Sequence, residues 1–240
     1  QYPVAKALIE QADKALGESL SAVMFEGPGE ELTRTCNCQP ALYVHGLACL
    51  AVLKELVPSL NPVAAAGLSL GEFTAHAAAG TYSFEEGLRL VQKRGAFMEE
   101  ACNATKGTMA AMIGGTDENV IKLAQECDVD VANFNCPGQT VVSGTEEGVA
   151  KAVAGAKAAG CKIAKKLNVA GAYHSRLMHS AMVKLAEELK NISFGTPSMP
   201  VYCNYEARVV EGPDDIRSML EHQVCGSVRW TASMQKLVDQ

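Results

Sequence analysis

The sequence lacks an excess of basic residues, a long apolar run and a secretion signal. Its 240 residues carry 21 lysines and arginines against 27 aspartates and glutamates, a formal net charge of -6, so it has no overall electrostatic footprint for nucleic acid or an anionic membrane. No stretch approaches the ~20 apolar residues of a membrane span, and residues 1–16 have the pattern of an amphipathic helix. We expect a soluble cytoplasmic protein, or an organellar one whose transit peptide has been removed, with no nucleic-acid or membrane partner.

The nine cysteines do not form a paired motif. Cys36 and Cys38 are separated by one residue, whereas zinc knuckles and thioredoxin motifs have a two-residue spacing, and no second Cys or His pair completes a site. We therefore predict reduced and mostly buried thiols, with Cys36 and Cys38 exposed in a loop, and no metal centre. The chain has no repeats, and its length suits one large domain or a domain with a smaller one inserted.

Residues 67–71 read Gly-Leu-Ser-Leu-Gly between a strand-like segment at 63–66 and a helix-like segment at 72–77. This G-x-S-x-G spacing is typical of a nucleophile elbow, in which the chain turns sharply and exposes the serine hydroxyl. The flanking glycines avoid a Cβ clash, and the first amides of the following helix are free to receive an oxyanion. The pattern favours acyl chemistry at Ser69 over an ordinary strand-to-helix loop.

Hydrophobic periodicity predicts that most other segments are helical. Pro40 to Leu56 predicts a nearly all-round apolar helix of the kind buried in an α/β layer, and Ser83 with Glu86 forms a capping box that opens a helix through about Ala104. The remaining elements are predicted as helices at 3–16, 181–190, 213–222 and from about 231, a turn with a short helix at 27–32, and a strand at 200–203.

Residues 107–167 predict a small inserted unit. The pattern indicates strands at 107–113, 129–134, 139–143 and 162–167 and helices at 117–127 and 145–159, in the order of a ferredoxin-like arrangement with its hairpin turn at 135–138. We predict an α/β fold in which a large three-layer, α/β-hydrolase-like domain, residues 1–104 plus 172–240, carries a ferredoxin-like α+β subdomain at residues 105–171. The cleft between them would hold the active site.

Five histidines compete as the base for the elbow serine. His45 and His76 lie on apolar helices, where a histidine is usually packed in the core, and His222 near a helix end fits a cap charge. His174 follows the last strand of the predicted subdomain, at the junction of the two lobes, and is the favoured base. His179 is the alternative.

Four separated motifs resemble those of the malonyl-CoA:acyl carrier protein transacylases. They are Gly67-x-Ser69-x-Gly71-Glu72, the segment Gln92-Lys93-Arg94-Gly95-Ala96-Phe97-Met98, the segment Asn133-Phe134-Asn135-x-Pro137-Gly138-Gln139 with Ser143-Gly144, and Gly171-Ala172-Tyr173-His174-Ser175-x-Leu177-Met178. The resemblance extends to Gln39-Pro40-Ala41 and Val228-Arg229-Trp230. Four motifs in the right order are far more specific than the elbow alone.

The resemblance implies a dyad of Ser69 as nucleophile and His174 as base, with the imidazole oriented by a backbone carbonyl in place of a triad aspartate. It implies that the amide of Leu70 is one oxyanion donor and that Arg94 pairs with the malonyl carboxylate. A planar guanidinium binds a carboxylate through two parallel hydrogen bonds, which supports that pairing. A solvated arginine on a helix face is the structural alternative.

Two further groups follow from the resemblance. Asn135 and Gln139 would line the cleft from the subdomain, although an Asn-x-Pro-Gly turn explains Asn135 equally well. Lys162, Lys165 and Lys166 form a basic cluster that fits CoA phosphates, an acidic carrier protein or simply a solvated strand edge.

The sequence departs from the family pattern at three places. Leu68 stands where the family usually has His before the nucleophile, which we expect to tune activity. The family's Gly-Gln-Gly-x-Gln loop, which supplies the other oxyanion amide, has no match in residues 1–20, and its late Glu-x-Gly-Pro-x segment is not reached. We therefore expect a fragment of a longer protein, or one whose end segments are missing from this sequence.

The predicted function is ping-pong transfer of a malonyl group from malonyl-CoA to the phosphopantetheine thiol of acyl carrier protein, for fatty acid synthesis, by a monomer without metal or redox cofactor. Three alternatives stay open. They are a methylmalonyl or other acyl transferase of a polyketide synthase, an α/β-hydrolase-type esterase, and an inactive carrier-protein docking module. Leu70 after the serine leans toward malonyl, whereas Tyr173 beside His174 leaves methylmalonyl open.

Overall fold

The structure, a computed structural model, describes residues 2–239. Its helices are Pro3–Leu16 (α1), Leu20–Glu26 (α2), Gly29–Thr33 (α3), Thr35–Leu56 (α4), Leu70–Ala78 (α5), Phe84–Ala104 (α6), Asp117–Glu126 (α7), Glu146–Gly155 (α8), His179–Leu189 (α9), Pro213–His222 (α10) and Trp230–Val238 (α11). Its strands are Ala65–Ala66 (β1), Gly107–Ile113 (β2), Asp130–Cys136 (β3), Gln139–Thr145 (β4), Ile163–Lys166 (β5) and Val201–Tyr202 (β6). The protein is a mixed α/β protein, as predicted.

The first sheet is small and carries the elbow. β1 pairs in parallel with β6, with Ala65 opposite Val201 and Ala66 opposite Tyr202. The strand predicted at 63–66 is therefore shorter than expected, because Val63 is 82% exposed and lies outside the pairing. Helix α5 begins four residues after β1 ends, which leaves a sharp turn at residues 67–69.

The second sheet lies between residues 107 and 166, in the strand order β3-β4-β2-β5 with every neighbouring pair antiparallel. The predicted alternation of strands and helices in this segment is confirmed. The hairpin turn is tighter than predicted, because Cys136 pairs with Gln139 and only Pro137 and Gly138 lie outside the ladder. A register shift between Phe134 and Cys136 leaves Asn135 unpaired in the ladder.

Helix α4 differs most from its sequence prediction. It begins at Thr35, five residues before the predicted start, and contains Pro40 within its span. Leu42, Leu53 and Leu56 are 55%, 44% and 61% exposed, so the helix is not buried all round. An 18-residue stretch of this 22-residue helix has a mean hydropathy of 1.3, so by length and composition α4 could cross a membrane, contrary to the expectation from the sequence. Because α4 packs against α1, α5 and α6, it has the position of a core helix.

The cysteines also differ from their prediction in part. All nine are free thiols, but only Cys102, Cys161 and Cys203 are buried. Cys36 and Cys38 lie in the first turn of α4 and are half-buried, not exposed in a loop. The loop prediction is wrong because the polar first turn of α4 carries no apolar periodicity that would mark it as helix.

Hydrophobic packing divides into two main clusters. One includes residues from the helical segments before residue 103 and after residue 177, among them Phe73, Leu88 and Leu185. The other is confined to residues 110–161 and is built around the sheet of β2 to β5. Backbone hydrogen bonds join the two parts where residue 228 runs beside β3, since the Val228 amide donates to the Ala132 carbonyl and its carbonyl accepts from the Phe134 amide.

Candidate active site

Ser69 lies at the turn between β1 and α5 in a conformation that L residues rarely adopt, with φ 53° and ψ -108°. A Cβ on Gly67 would lie 1.9 Å from the Gly71 carbonyl oxygen, so glycine is required there. A Cβ on Gly71 would meet nothing within 4 Å. Of the two flanking glycines, Gly67 alone relieves a clash, and the elbow geometry of G-x-S-x-G is otherwise as predicted.

His174 reaches the elbow from the other side of the site. Its Nε2 lies 2.8 Å from Ser69 Oγ, and its Nδ1 lies 2.8 Å from the backbone oxygen of Gln223. A carbonyl oxygen only accepts, so Nδ1 carries the proton and Nε2 of the neutral ring accepts from the serine hydroxyl. The pair can therefore move a proton from Ser69 Oγ to His174 Nε2.

The environment keeps His174 neutral. Burial lowers its pKa to about 4, and the nearby Arg94 cation acts in the same direction. The bond to the Gln223 carbonyl opposes this shift because it favours the protonated ring. At neutral pH the imidazole is therefore ready to accept a proton, and the carbonyl of residue 223 can stabilise the imidazolium that results.

Arg94 projects from α6 into the same site and is 1% exposed. Its Nη1 donates to Gln39 Oε1 at 2.6 Å, and its Nη2 donates to Gln223 Oε1 at 2.8 Å and to Ser69 Oγ at 3.1 Å. Its Nε has no partner among the described residues. Burial lowers the Arg94 pKa to about 10, with Glu72 acting in the opposite direction. A solvated helix-face arginine, the structural alternative, is excluded.

Three polar residues of the site had no predicted role: Gln39, Asn204 and Gln223. Each is buried, and Asn204 and Gln223 are separated from Ser69 by more than 130 positions. The Asn204 side chain accepts from the Ser69 amide at 2.6 Å and donates to the Gly67 carbonyl at 2.8 Å. The fold thus holds both sides of the elbow through one amide side chain.

The Leu70 amide belongs to the first turn of α5, where amides have no intrahelical acceptor. It lies next to Ser69 in the chain and so can donate to an oxyanion that forms on an acyl group attached there. Leu68, on the other side of the serine, is 41% exposed and lies along a groove of ≈ 540 Å³ that also contacts Leu42 and Leu50.

Asn135 and Gln139 do not join this hydrogen-bonded group. Neither donates to or accepts from Ser69, His174 or Arg94 in the described part of the chain, and the Asn135 Oδ1 is buried without a partner. The lysines at 162, 165 and 166 are exposed on or beside the edge strand β5, and Lys166 pairs with an acidic residue of α8.

The other histidines lie outside the site. His76 is buried in the core as predicted, with its Nδ1 3.2 Å from Thr81 Oγ1. His45 was expected in the core but is exposed, because it lies on the outer face of α4. His179 is exposed at the start of α9, and His222 ends α10 with its Nδ1 2.7 Å from a backbone carbonyl one turn earlier.

Comparison with known proteins gives a consistent result. The acyl transferase domain family matches residues 1–239. The malonyl CoA-acyl carrier protein transacylase of Bacillus subtilis is 42% identical, over 99% of this chain and 76% of its own length. The structure of the malonyl CoA-acyl carrier protein transacylase from Coxiella burnetii superposes with a TM-score of 0.96 at 35% identity, covering 100% of this chain and 77% of that one.

A third similar structure is a malonyl-transacylase solved in complex with the acyl-carrier protein of a type II polyketide synthase. It superposes with a TM-score of 0.95 at 36% identity, covering 100% of this chain and 78% of that one. The match therefore includes the elbow, the histidine loop and the arginine helix in one alignment. This chain belongs to the malonyl CoA-acyl carrier protein transacylase family of acyl transferase domains.

Proposed function

We propose that this protein transfers a malonyl group from malonyl-CoA to the phosphopantetheine thiol of an acyl carrier protein, supplying fatty acid synthesis, through an acyl-enzyme on Ser69. The names of its relatives support malonyl-CoA as donor and acyl carrier protein as acceptor. One observation supports the residue assignment above all. His174 is hydrogen-bonded both to the Gln223 carbonyl and to Ser69 Oγ, and Nη2 of the buried Arg94 lies 3.1 Å from the same serine oxygen.

In the first half-reaction, Ser69 Oγ attacks the thioester carbonyl as its proton moves to His174 Nε2. The Leu70 amide donates to the oxyanion that develops. The intermediate collapses with loss of the CoA thiolate, which takes the proton back from Nε2. The result is a malonyl ester of Ser69 and free CoA, with atoms and charge balanced.

Arg94 binds the free carboxylate of the malonyl group. A buried guanidinium whose acceptors are the neutral amides of Gln39 and Gln223 gains from a carboxylate partner, which adds an opposite charge and can accept two parallel hydrogen bonds. The carboxylate replaces the contact between Arg94 Nη2 and Ser69 Oγ once that oxygen is acylated. An acetyl group offers no such partner.

In the second half-reaction, the phosphopantetheine thiol gives its proton to His174 Nε2 and attacks the ester carbonyl. Collapse of the second intermediate returns Ser69 Oγ, which recovers the proton. A thioester is exchanged for another thioester, so no electron transfer occurs, and we propose that no metal or redox cofactor takes part.

The finer description of the fold is also a proposal. We propose a ferredoxin-like subdomain at residues 105–171 inserted in a three-layer, α/β-hydrolase-like domain of residues 1–104 and 172–240. The strand order β3-β4-β2-β5 and the separation of the two hydrophobic clusters support this division. The buried, unpartnered Asn135 Oδ1 supports a place for Asn135, and with it Gln139, in lining the cleft. Free thiols at all nine cysteines support a cytoplasmic location.

The test is to measure the intact mass of the protein after incubation with malonyl-CoA, acetyl-CoA or methylmalonyl-CoA, and then after addition of acyl carrier protein. We expect a malonyl adduct that passes to carrier protein bearing phosphopantetheine and stays on the enzyme when the carrier lacks it. Ser69→Ala should form no adduct, whereas Ser180→Ala, on the exposed face of α9, should behave as the parent.

Other outcomes identify the alternatives. An adduct lost to water at the same rate with and without carrier protein indicates an esterase, and faster acylation by methylmalonyl-CoA indicates a polyketide extender transferase. Carrier binding without any adduct indicates a docking module. Each of these results would overturn the proposed function.

A further inference from the structure

Glu72 is a buried carboxylate three positions after Ser69, in the first turn of α5. Its Oε2 accepts from Gln223 Nε2 at 2.7 Å and from the Asn204 backbone amide at 3.0 Å. Its Oε1 has no partner among residues 2–239, and burial raises its pKa to about 7. Burying a carboxylate is costly unless hydrogen bonds compensate, and here only one of the two oxygens has hydrogen-bond partners.

Gln223 is the first residue through which Glu72 can act. Besides Glu72, its Nε2 donates to the Ser69 carbonyl at 2.9 Å, its Oε1 accepts from Arg94, and its backbone oxygen accepts from His174 Nδ1. A carboxylate oxygen accepts and a guanidinium only donates. Glu72 on one side and Arg94 on the other therefore permit a single orientation of the Gln223 amide.

Asn204 is the second residue through which Glu72 can act. Its backbone amide donates to Glu72, while its side chain accepts from the Ser69 amide and donates to the Gly67 carbonyl. The carboxylate thus fixes the backbone of the residue whose side chain holds both sides of the elbow. Through two partners, Glu72 connects α5 to segments 132 and 151 positions away.

We propose that Glu72 is a positioning residue for acyl transfer, whose carboxylate locks Gln223 and Asn204 and thereby aligns Ser69 with His174. The inference rests on the proposed function, because the alignment matters for that reaction. Glu72 does not touch the reacting atoms and has no direct hydrogen bond to Arg94, since the Gln223 amide lies between them. A role as a simple charge partner of Arg94 makes a different prediction.

The test compares two substitutions of Glu72 by single-turnover acylation with malonyl-CoA, using active-site titration to count folded enzyme. Glu72→Gln keeps an acceptor and removes the charge, whereas Glu72→Leu removes both. Positioning predicts a fall in the maximal acylation rate of about tenfold for Gln and about 10²-fold for Leu. The malonyl-CoA concentration at half-saturation should change much less, because Gln39 still holds the guanidinium of Arg94.

The matched control is His76→Gln, which alters a buried polar residue of the same helix whose side chain makes no hydrogen bond to Glu72, Gln223 or Asn204. It should lower the melting temperature and leave the acylation rate per folded molecule at the parental value. If both Glu72 variants also keep the parental rate per folded molecule, Glu72 is only structural and the inference is wrong. If Glu72→Gln and Glu72→Leu slow acylation equally, the loss comes from the missing charge beside Arg94, and the positioning inference is wrong.

Two further results keep the outcome clear. Should Glu72→Leu yield no folded protein, a tenfold loss of rate in Glu72→Gln at a nearly unchanged half-saturating malonyl-CoA concentration carries the test. A parental rate there, or a loss that appears mainly in half-saturation, overturns the inference. Should the parent protein itself form no malonyl adduct, the proposed function has failed. An acylated parent with unchanged Glu72 variants leaves the function standing and removes the inference alone.

Discussion

Replacing Arg94 with methionine should sharply reduce the preference for malonyl-CoA over acetyl-CoA. Methionine has a comparable length and no charge. The variant Arg94→Met therefore removes the cation that would bind the malonyl carboxylate, while its side chain fills most of the space that Arg94 occupies. Arg94 is 1% exposed and already donates to two amide oxygens and to Ser69 Oγ. The malonyl carboxylate therefore takes the place of Ser69 Oγ and adds a charged acceptor to a cation whose other acceptors are neutral.

The magnitude follows from that exchange. A net hydrogen bond to a charged group contributes about 1.5 kcal/mol, and a bidentate carboxylate makes two that an acetyl group cannot make, which gives about 3 kcal/mol. Since 1.36 kcal/mol corresponds to a factor of ten in rate, the ratio of malonyl to acetyl acylation rates should fall by about 10²-fold. The ratio is the relevant quantity, because any loss of folded protein lowers both rates equally.

The assay is the rate of adduct formation on Ser69 with each thioester, measured by intact mass. The control is Arg89→Met, on the same helix and exposed, which should keep the parental ratio. Loss of Arg94 also leaves the oxygens of Gln39 and Gln223 without a donor, so a lower melting temperature is expected. An Arg94→Met protein that is acylated with the parental malonyl-to-acetyl ratio would refute the carboxylate assignment.

Three other predictions concern the elbow, a core histidine and the base. Gly67→Ala should destabilise the fold by about 3 kcal/mol or more in urea unfolding, because its Cβ would lie 1.9 Å from the Gly71 oxygen. Burial lowers the His76 pKa to about 4, so as pH drops the unfolded state binds the proton before the folded state does. The free energy of unfolding should therefore fall as pH drops from about 6.5 towards 4. In thermal melts over this pH range, the melting temperature of His76→Phe should fall less than that of the parent. His174→Ala should slow acylation by about 10²–10⁴-fold, whereas His45→Ala should not.

Each of these has a result that contradicts it. A stable Gly67→Ala protein would mean that the elbow relaxes without that glycine. An unchanged pH dependence in His76→Phe would assign the acid sensitivity to other groups, above all to His174, whose pKa burial lowers in the same way. The raised pKa of Glu72 acts in the opposite direction, and both proteins retain His174 and Glu72. Parental acylation in His174→Ala would remove the dyad, whatever the distance between its atoms.

The parts of the site that the sequence predicts are those with a local signature. Ser69 lies in a five-residue pattern that requires a particular turn, and His174 follows the last strand of a regular β-α-β-β-α-β order. Arg94 could be found only by resemblance, because an arginine on an amphipathic helix has the same local pattern whether it is solvated or buried. The structure brings the three together with hydrogen-bond distances of 2.8 and 3.1 Å at Ser69 Oγ.

The residues that the sequence misses are polar groups brought in by tertiary structure. Gln223 follows the last turn of α10, and nothing within that helix indicates that it meets Ser69, 154 positions earlier. Asn204 follows a strand of two residues, too short for a reliable alternation pattern. Gln39 offers a weak signal as a polar residue in an apolar helix, and Glu72 as a charged residue beside the elbow.

The backbone pairing at Val228 links the sheet of β2 to β5 to His174, the proposed base. Residues 223 and 228 are five positions apart. The backbone oxygen of residue 223 accepts a hydrogen bond from His174 Nδ1, and the backbone of residue 228 pairs with the edge of β3. A displacement of the sheet that carries β3 therefore pulls on the same short segment that sets the ring of His174. The position of that sheet and the orientation of the proposed base are thus connected through the six residues of backbone from 223 to 228.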